Sequence, residues 1–142
     1  KSVSGSMPRP GEVLLDTSLI VDLLAGDQAV AETLEGTRPA VSAITIGELE
    51  VGLRLTPRAL RARQRTQAFL ARCTLLPVEP ATGEAYATIK IMLRRKGQPI
   101  PENDVWIAAV ALQHGLLLVT RDQTHFRPER FQDIPGLQIE FW

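Results

Sequence analysis

The chain has 142 residues, a length typical of one domain. Apolar residues make up 44% of it and charged residues 23%, which excludes a mainly disordered chain and a disulfide-stapled miniprotein. Sixteen basic and sixteen acidic side chains cancel, so no general electrostatic attraction to nucleic acid is implied, and no apolar run approaches the roughly 20 residues of a membrane span.

Short aliphatic runs alternate with amphipathic segments along the chain. In chain order we predict strand 12–16, a helix over 19–24 that Thr17 or Ser18 can cap, helix 28–35, strand 39–42, helix 45–55, helix 57–72, strand 75–78, helix 82–96, helix 102–114, strand 116–120 and strand 137–141. Strands of continuous aliphatic residues, alternating with helices, are typical of a parallel sheet covered on both faces. We therefore predict one three-layer α/β domain.

The N-terminal residues and the single cysteine bear on processing and on compartment. Gly5 and Ser6 before Met7 are typical of an expression-tag remnant, so we assign residues 1–6 to a remnant and residues 7–142 to the domain. Cys73 has no second cysteine with which to form an internal disulfide, which favours a reducing cytoplasm.

Four acidic residues occupy related places around the predicted sheet. Asp16 ends the first strand, Glu48 lies in the first turn of the helix after the second strand, and Asp122 follows the fourth strand by two residues. Asp104 lies in the first turn of the helix before the fourth strand. Because ligands of such sheets bind outside the carboxyl ends of the strands, we expect these carboxylates to converge.

Carboxylates that converge without a histidine or cysteine partner favour a site for Mg²⁺ or Mn²⁺ over one for zinc. Such a site activates water and neutralises a phosphodiester during in-line displacement, and neighbouring helix N-termini favour the same phosphate. Structural roles are the alternative: a capping box from Thr45 to Glu48, a helix-dipole role for Asp104 and a turn role for Asp122. Asp16 directly follows Val-Leu-Leu and is the hardest of these acids to explain structurally.

Three segments carry a family resemblance: LLDTSLIVDLL, ITIGELEVGL and PENDVWIAAVALQHGLLLVTRDQTHF. In order and spacing they resemble PIN-domain ribonucleases, and in particular the VapC-type toxins of bacterial toxin–antitoxin pairs. The resemblance implies that the catalytic, metal-binding carboxylates are Asp16, Glu48, Asp104 and Asp122, with Asp16 and Asp104 the most direct Mg²⁺ ligands. It further implies that Thr120 orients the site. A five-stranded parallel sheet, a homodimer and a cognate antitoxin that blocks the site are also implied.

The chain departs from this family pattern at His125, where many relatives carry an acid before the phenylalanine. Since this residue lies outside the four acids, we expect it to alter the rim of the site and not its chemistry.

A separate cluster of six arginines lies between residues 51 and 78, a segment that contains no acid. Arg54, Arg58, Arg61 and Arg65 are spaced 4, 3 and 4 apart and would share a face if the helices were continuous across Pro57. A solvated helix face is one interpretation. The other is a surface for RNA phosphates or for an acidic antitoxin segment, since arginine pairs well with both.

The leading interpretation is an Mg²⁺-dependent endoribonuclease, with Mn²⁺ as a substitute, that acts on single-stranded or looped RNA. A catalytically idle PIN-like interaction module is disfavoured by the four acids. A structure-selective DNase stays open because the metal chemistry does not distinguish RNA from DNA. Phosphoryl transfer through an aspartyl-phosphate at Asp16 calls for a second aspartate two residues later, where this chain has Ser18.

Overall fold

The computed structural model describes residues 12–142, so the predicted tag remnant and the domain start at Met7 lie outside the described residues. Five strands form one parallel sheet in the order β3-β2-β1-β4-β5. They are β1 (Val13–Leu15), β2 (Ala40–Ser42), β3 (Thr74–Leu76), β4 (Leu117–Thr120) and β5 (Gln138–Phe141).

Seven helices accompany the sheet in the described part of the chain. They are α1 (Thr17–Leu24), α2 (Gln28–Leu34), α3 (Ala43–Leu55), α4 (Leu60–Leu70), α5 (Pro80–Arg95), α6 (Glu102–His114) and α7 (Pro128–Phe131). The short helix α7 was not predicted, because its 4 residues are too few to show a helical period. No helix among residues 12–142 is both long and apolar enough to cross a bilayer.

Helices cover both faces of the sheet, as the aliphatic strands predicted. In β1, Val13 and Leu15 join a core cluster with α1, α2, α3 and α4. Leu14 joins the cluster on the opposite face, with α5, α6 and α7. The prediction of a single three-layer α/β domain with a five-stranded parallel sheet is therefore confirmed.

The pairing of β1 with β4 determines which residues meet at the carboxyl edge of the sheet. Leu15 pairs with Val119, and the backbone amide of Asp16 donates to the Val119 carbonyl at 2.9 Å. One residue further along both strands, Asp16 and Thr120 therefore lie side by side. These two central strands create the floor of the candidate site.

The segment between α3 and α4 differs from the prediction of a helix that restarts at Pro57. Residues 56–59 form a turn instead, and α4 begins at Leu60. Arg58 has a positive φ of 55°, which no continuous helix accommodates. The helices are therefore not continuous across Pro57, which was the condition for Arg54, Arg58, Arg61 and Arg65 to share one face.

The start of α3 also differs from its prediction at Thr45. Ser42 is the N-cap residue, and its hydroxyl accepts a hydrogen bond from the Thr45 amide at 3.2 Å. The helix therefore begins two residues earlier, at Ala43, and Glu48 lies in its second turn. A capping box between Thr45 and Glu48 is excluded, which leaves the Glu48 carboxylate available for other contacts.

Candidate metal centre

Asp16 lies at the base of the centre and is only 3% exposed. Its Oδ2 accepts hydrogen bonds from the hydroxyls of Thr120 at 2.7 Å and Ser18 at 2.8 Å. Burial raises the pKa of the Asp16 carboxyl above its ordinary value, and the two hydroxyl donors offset part of that rise. A buried carboxylate with two fixed donors is an oriented ligand group.

The same two hydroxyls connect the ends of β1 and β4. Thr120 Oγ1 accepts from the Asp122 amide at 2.9 Å, and Ser18 Oγ accepts from the Arg121 amide at 3.2 Å. The predicted capping role of Thr17 or Ser18 is wrong, because Asp16 occupies the N-cap position of α1 with no side-chain cap bond. The hydroxyl of Ser18 instead holds the β4 exit against Asp16.

Glu48 reaches the centre from α3 and is held by side chains from two other helices. Thr17 Oγ1 donates to Glu48 Oε1 at 2.6 Å, and Asn103 Nδ2 donates to Glu48 Oε2 at 3.3 Å. Thr17 begins α1 and Asn103 lies in the first turn of α6, so these bonds tie three helices together around one carboxylate.

Asp104 lies in the first turn of α6, as predicted, where a helix dipole by itself favours the charged form of an acid. The pKa of the Asp104 carboxyl is nevertheless shifted in the opposite direction, toward the neutral form. Burial, and after it the charge of Asp16, raises the pKa of the Asp104 carboxyl to about 6. The charges of Asp122 and Glu48 act in the same direction, so Asp104 senses all the other carboxylates of the predicted set.

Asp122 combines a turn role with a place in the centre. Its Oδ1 accepts from the backbone amides of Thr124 and His125, both at 3.0 Å, as in an Asx turn. Its Oδ2 lies 2.7 Å from His125 Nδ1. Burial acts to raise the pKa of Asp122, but the hydrogen bonds and charge of His125 outweigh it, so the pKa lies below its ordinary value.

His125 contacts two of the predicted acids, and its side chain is 38% exposed. Its Nδ1 is 2.7 Å from Asp122 Oδ2 and 3.2 Å from Asp104 Oδ2. Among the described residues, Asp104, Asp122 and His125 place their ligating atoms within 4.8 Å of one another. The ring is therefore part of the acidic cluster.

Several polar side chains around the acids could not be predicted from the hydrophobic pattern of the sequence. Arg121 Nη2 contacts Asp27 Oδ2 at 2.7 Å and Nη1 contacts Asp22 Oδ2 at 3.4 Å, which anchors the exit of β4 on α1 and α2. The other residues that sequence reasoning missed or placed elsewhere are Thr17, Ser18, Asn103 and His125. Their one shared signal is that they are polar and within three residues of a predicted acid.

Five of the six arginines lie on or between α3 and α4, Arg72 follows the end of α4, and the cluster does not form one face. Arg54 and Arg63 both bind Glu50 at 2.8 Å. The paired Arg63 and then Arg54 lower the pKa of the Glu50 carboxyl to about 2. Arg58 lies in the turn, which leaves Arg61 and Arg65 as exposed neighbours on α4.

Comparisons with known proteins assign the family. The sequence matches the PIN domain over residues 13–130. Ribonuclease VapC5 of Mycobacterium tuberculosis is 35% identical over 115 residues, which cover 80% of this chain and 84% of that protein. The chain belongs to the PIN-domain family. Its predicted likeness to the VapC ribonucleases is confirmed.

Solved structures of PIN-domain proteins share the fold. DNA-bound VapBC from Salmonella typhimurium superposes with a TM-score of 0.82 at 27% identity, over 93% of this chain and 98% of that one. VapBC-5 from Mycobacterium tuberculosis, a member of a family of toxin-antitoxin systems, gives 0.63 at 28% identity, over 92% and 97%.

The donor set of this PIN domain fits a divalent cation. Carboxylate oxygens are the ligands that hard cations prefer, and here several lie at one edge of the sheet. PIN ribonucleases are in general dependent on divalent metals, and the chemistry of these residues is consistent with that dependence. Hydroxyl and amide donors orient Asp16 and Glu48, the outer-shell support that a metal site requires.

Proposed function

We propose that this PIN-domain protein is an Mg²⁺-dependent endoribonuclease and the toxin of a toxin–antitoxin pair, with Mn²⁺ as a substitute cation. The observation that carries the proposal is the cluster of Asp104, Asp122 and His125, whose ligating atoms lie within 4.8 Å of one another. Burial and the charge of Asp16 raise the pKa of the Asp104 carboxyl in this cluster. A half-buried cluster of negative charge without a balancing cation is unfavourable, and a divalent cation relieves it. The ribonuclease name of VapC5 and the toxin-antitoxin family of VapBC-5 support the choice of reaction and of biological role.

The proposed ligand carboxylates are Asp16, Glu48, Asp104 and Asp122. When bound, the cation supplies an activated water and neutralises the charge of the phosphodiester. Thr120 and Ser18 hold Asp16 in its orientation, while Thr17 and Asn103 hold Glu48. The N-terminus of α6, which carries Asp104, adds partial positive charge near the position of an RNA phosphate.

We further propose a cognate antitoxin that covers the acids, with a segment that presents a basic side chain to them. The VapBC structures that share this fold support such a partner. A homodimer and a cytoplasmic location are proposed as well, the latter because Cys73 has no disulfide partner. Co-expression with the adjacent open reading frame should relieve toxicity and yield a complex on gel filtration. Failure of both would contradict the antitoxin proposal.

The decisive assay is cleavage of structured and single-stranded RNA with Mg²⁺ or Mn²⁺ and with EDTA. We expect cleavage with either cation, none with EDTA, and none by Asp16→Asn or Asp104→Asn in folded protein. Glu84→Gln is the matched control, because Glu84 is an exposed acid on α5. Full cleavage in EDTA or by either asparagine variant would overturn the proposal. DNA substrates of the same sequences, assayed in parallel, would favour the DNase alternative if they are cleaved preferentially.

A further inference from the structure

His125 lies among the acids, and its side chain differs chemically from every other member of the cluster. It brings the imidazole nitrogen Nδ1 to within 3.2 Å of an oxygen of Asp104 and 2.7 Å of an oxygen of Asp122. The chain contains two histidines, and the other, His114, is exposed at the far end of α6. In the cluster of Asp104, Asp122 and His125, the third group therefore offers a cation a nitrogen atom and not an oxygen atom.

We propose that His125 is a nitrogen ligand of the metal centre through Nδ1, and that it biases the centre toward Mn²⁺ and later transition-metal ions over Mg²⁺. This inference rests on the proposed function, since it concerns the cation of the same site. It assigns His125 a role in metal choice that the four carboxylates alone do not provide.

The distances from His125 Nδ1 to the two carboxylate oxygens fit those between adjacent ligand atoms of a six-coordinate cation. Bonds of about 2.0–2.2 Å to a six-coordinate cation place adjacent ligand atoms about 3 Å apart. The separations of Nδ1 from the oxygens of Asp122 and Asp104, 2.7 and 3.2 Å, bracket that value. Coordination through Nδ1 uses the neutral ring with its proton on Nε2.

The backbone around His125 is held in place before any cation binds. Its amide donates to Asp122 Oδ1 at 3.0 Å, and its carbonyl accepts from Arg130 Nη1 at 2.9 Å. The next residue, Phe126, is fully buried and donates its amide to the Asp122 carbonyl at 3.2 Å. The turn therefore presents the ring to the acids with little freedom to lose on coordination.

A nitrogen ligand changes the order of metal affinities. Mg²⁺ prefers oxygen ligands, whereas imidazole suits the transition metals, whose affinity rises from Mn²⁺ through Co²⁺ and Ni²⁺. An all-carboxylate centre discriminates less strongly among these ions. A selective loss of transition-metal binding is thus the expected signature of a lost imidazole ligand.

Pulsed electron paramagnetic resonance of the whole chain loaded with Mn²⁺ tests the proposal directly. We expect modulation from a directly coordinated imidazole nitrogen in the wild type and in His114→Gln. The same modulation should be absent from His125→Asn and from His125→Asp. Mn²⁺ binding without this modulation in the wild type would overturn the proposal while leaving the proposed function intact. Absence of both bound Mn²⁺ and bound Mg²⁺ would overturn the proposed function as well.

Calorimetric titration with Mn²⁺ and Mg²⁺ supplies an independent measurement on the same variants. His125→Asn should weaken Mn²⁺ binding about 10- to 100-fold and Mg²⁺ binding much less. His125→Asp, which restores an oxygen ligand, should retain Mg²⁺ binding and lower the preference for Mn²⁺. Far-ultraviolet circular dichroism identifies any variant that is unfolded, and the other variant then carries the comparison. Equal losses for both cations in a folded variant would contradict the assigned metal bias.

Discussion

The hydroxyl of Thr120 donates to Asp16 Oδ2 at 2.7 Å and joins two residues that are 104 positions apart. Parallel pairing of β1 with β4 brings the two residues side by side, and Thr120 is fully buried. Because Thr120 Oγ1 also accepts a hydrogen bond from the Asp122 amide, this one hydroxyl connects two of the proposed ligands. The proposed cation site is thus built into the central pair of strands.

Thr120→Val tests this connection, because valine has a similar shape and lacks the hydroxyl. The change leaves the buried Asp16 carboxylate short of a donor and the Asp122 amide without its acceptor. We expect a loss of about 1–3 kcal/mol in the free energy of unfolding, measured with urea in EDTA, and weaker Mg²⁺ binding. Thr120→Ser keeps the hydroxyl and is the control. Equal stability of the valine and serine variants would show that the hydroxyl has no such role.

Asp104→Asn tests the mutual repulsion of the acids. Without a cation, neutralising Asp104 removes a charge that burial and the charge of Asp16 disfavour, so the variant should melt at or above the wild type in EDTA. Mg²⁺ at a hundredfold excess over its Kd should stabilise the wild type by about 2.7 kcal/mol and the variant much less. A variant that melts well below the wild type in EDTA would instead indicate that Asp104 stabilises the N-terminus of α6.

The raised pKa of Asp104 determines whether its contribution to stability rises or falls with pH. Its pKa of about 6 in the folded protein exceeds the ordinary 3.8, so the folded state holds the proton more tightly than the unfolded state. The stabilisation from this group is complete below about pH 4 and is lost as pH rises through about 6, an effect of about 1–3 kcal/mol.

The measurement for this pH effect is the difference in unfolding free energy between wild type and Asp104→Asn in EDTA, from pH 4 to pH 7. Taking the difference cancels the titration of groups that behave alike in both proteins. The wild type should lose stability relative to the variant as pH rises. A difference that does not change with pH would contradict the raised pKa.

Much of this centre could be predicted from the sequence, for a physical reason. Aliphatic runs mark buried parallel strands, and acids directly after such runs collect at one edge of the sheet, as Asp16 and Asp122 do. The place of His125 could not be predicted this way, because an Asx turn at Asp122 determines it and turn geometry leaves no hydrophobic period. The break after α3 was predicted, but α4 begins at Leu60 and not at Pro57, because proline is equally compatible with a helix start and with a turn.

Arg61 and Arg65 are the arginines of the predicted group that remain exposed neighbours on one helix. If they contact RNA phosphates, replacing either by glutamine should reduce the slope of log K against log salt by roughly 0.7. Arg54→Gln is the comparison, because Arg54 already pairs with Glu50 and should change the slope less. Unchanged slopes together with weaker antitoxin binding would assign this surface to the protein partner.

The most direct test of the central claim, that a cation held by these carboxylates acts on an RNA phosphate, replaces a non-bridging oxygen of the cleaved phosphodiester by sulfur. Mg²⁺ binds sulfur poorly, whereas softer cations such as Mn²⁺ accept it. We predict that the substituted bond is cleaved much more slowly than the normal bond with Mg²⁺ and that Mn²⁺ restores most of the rate. An equal slowing with both cations would contradict direct contact between the cation and the phosphate, and with it the central claim.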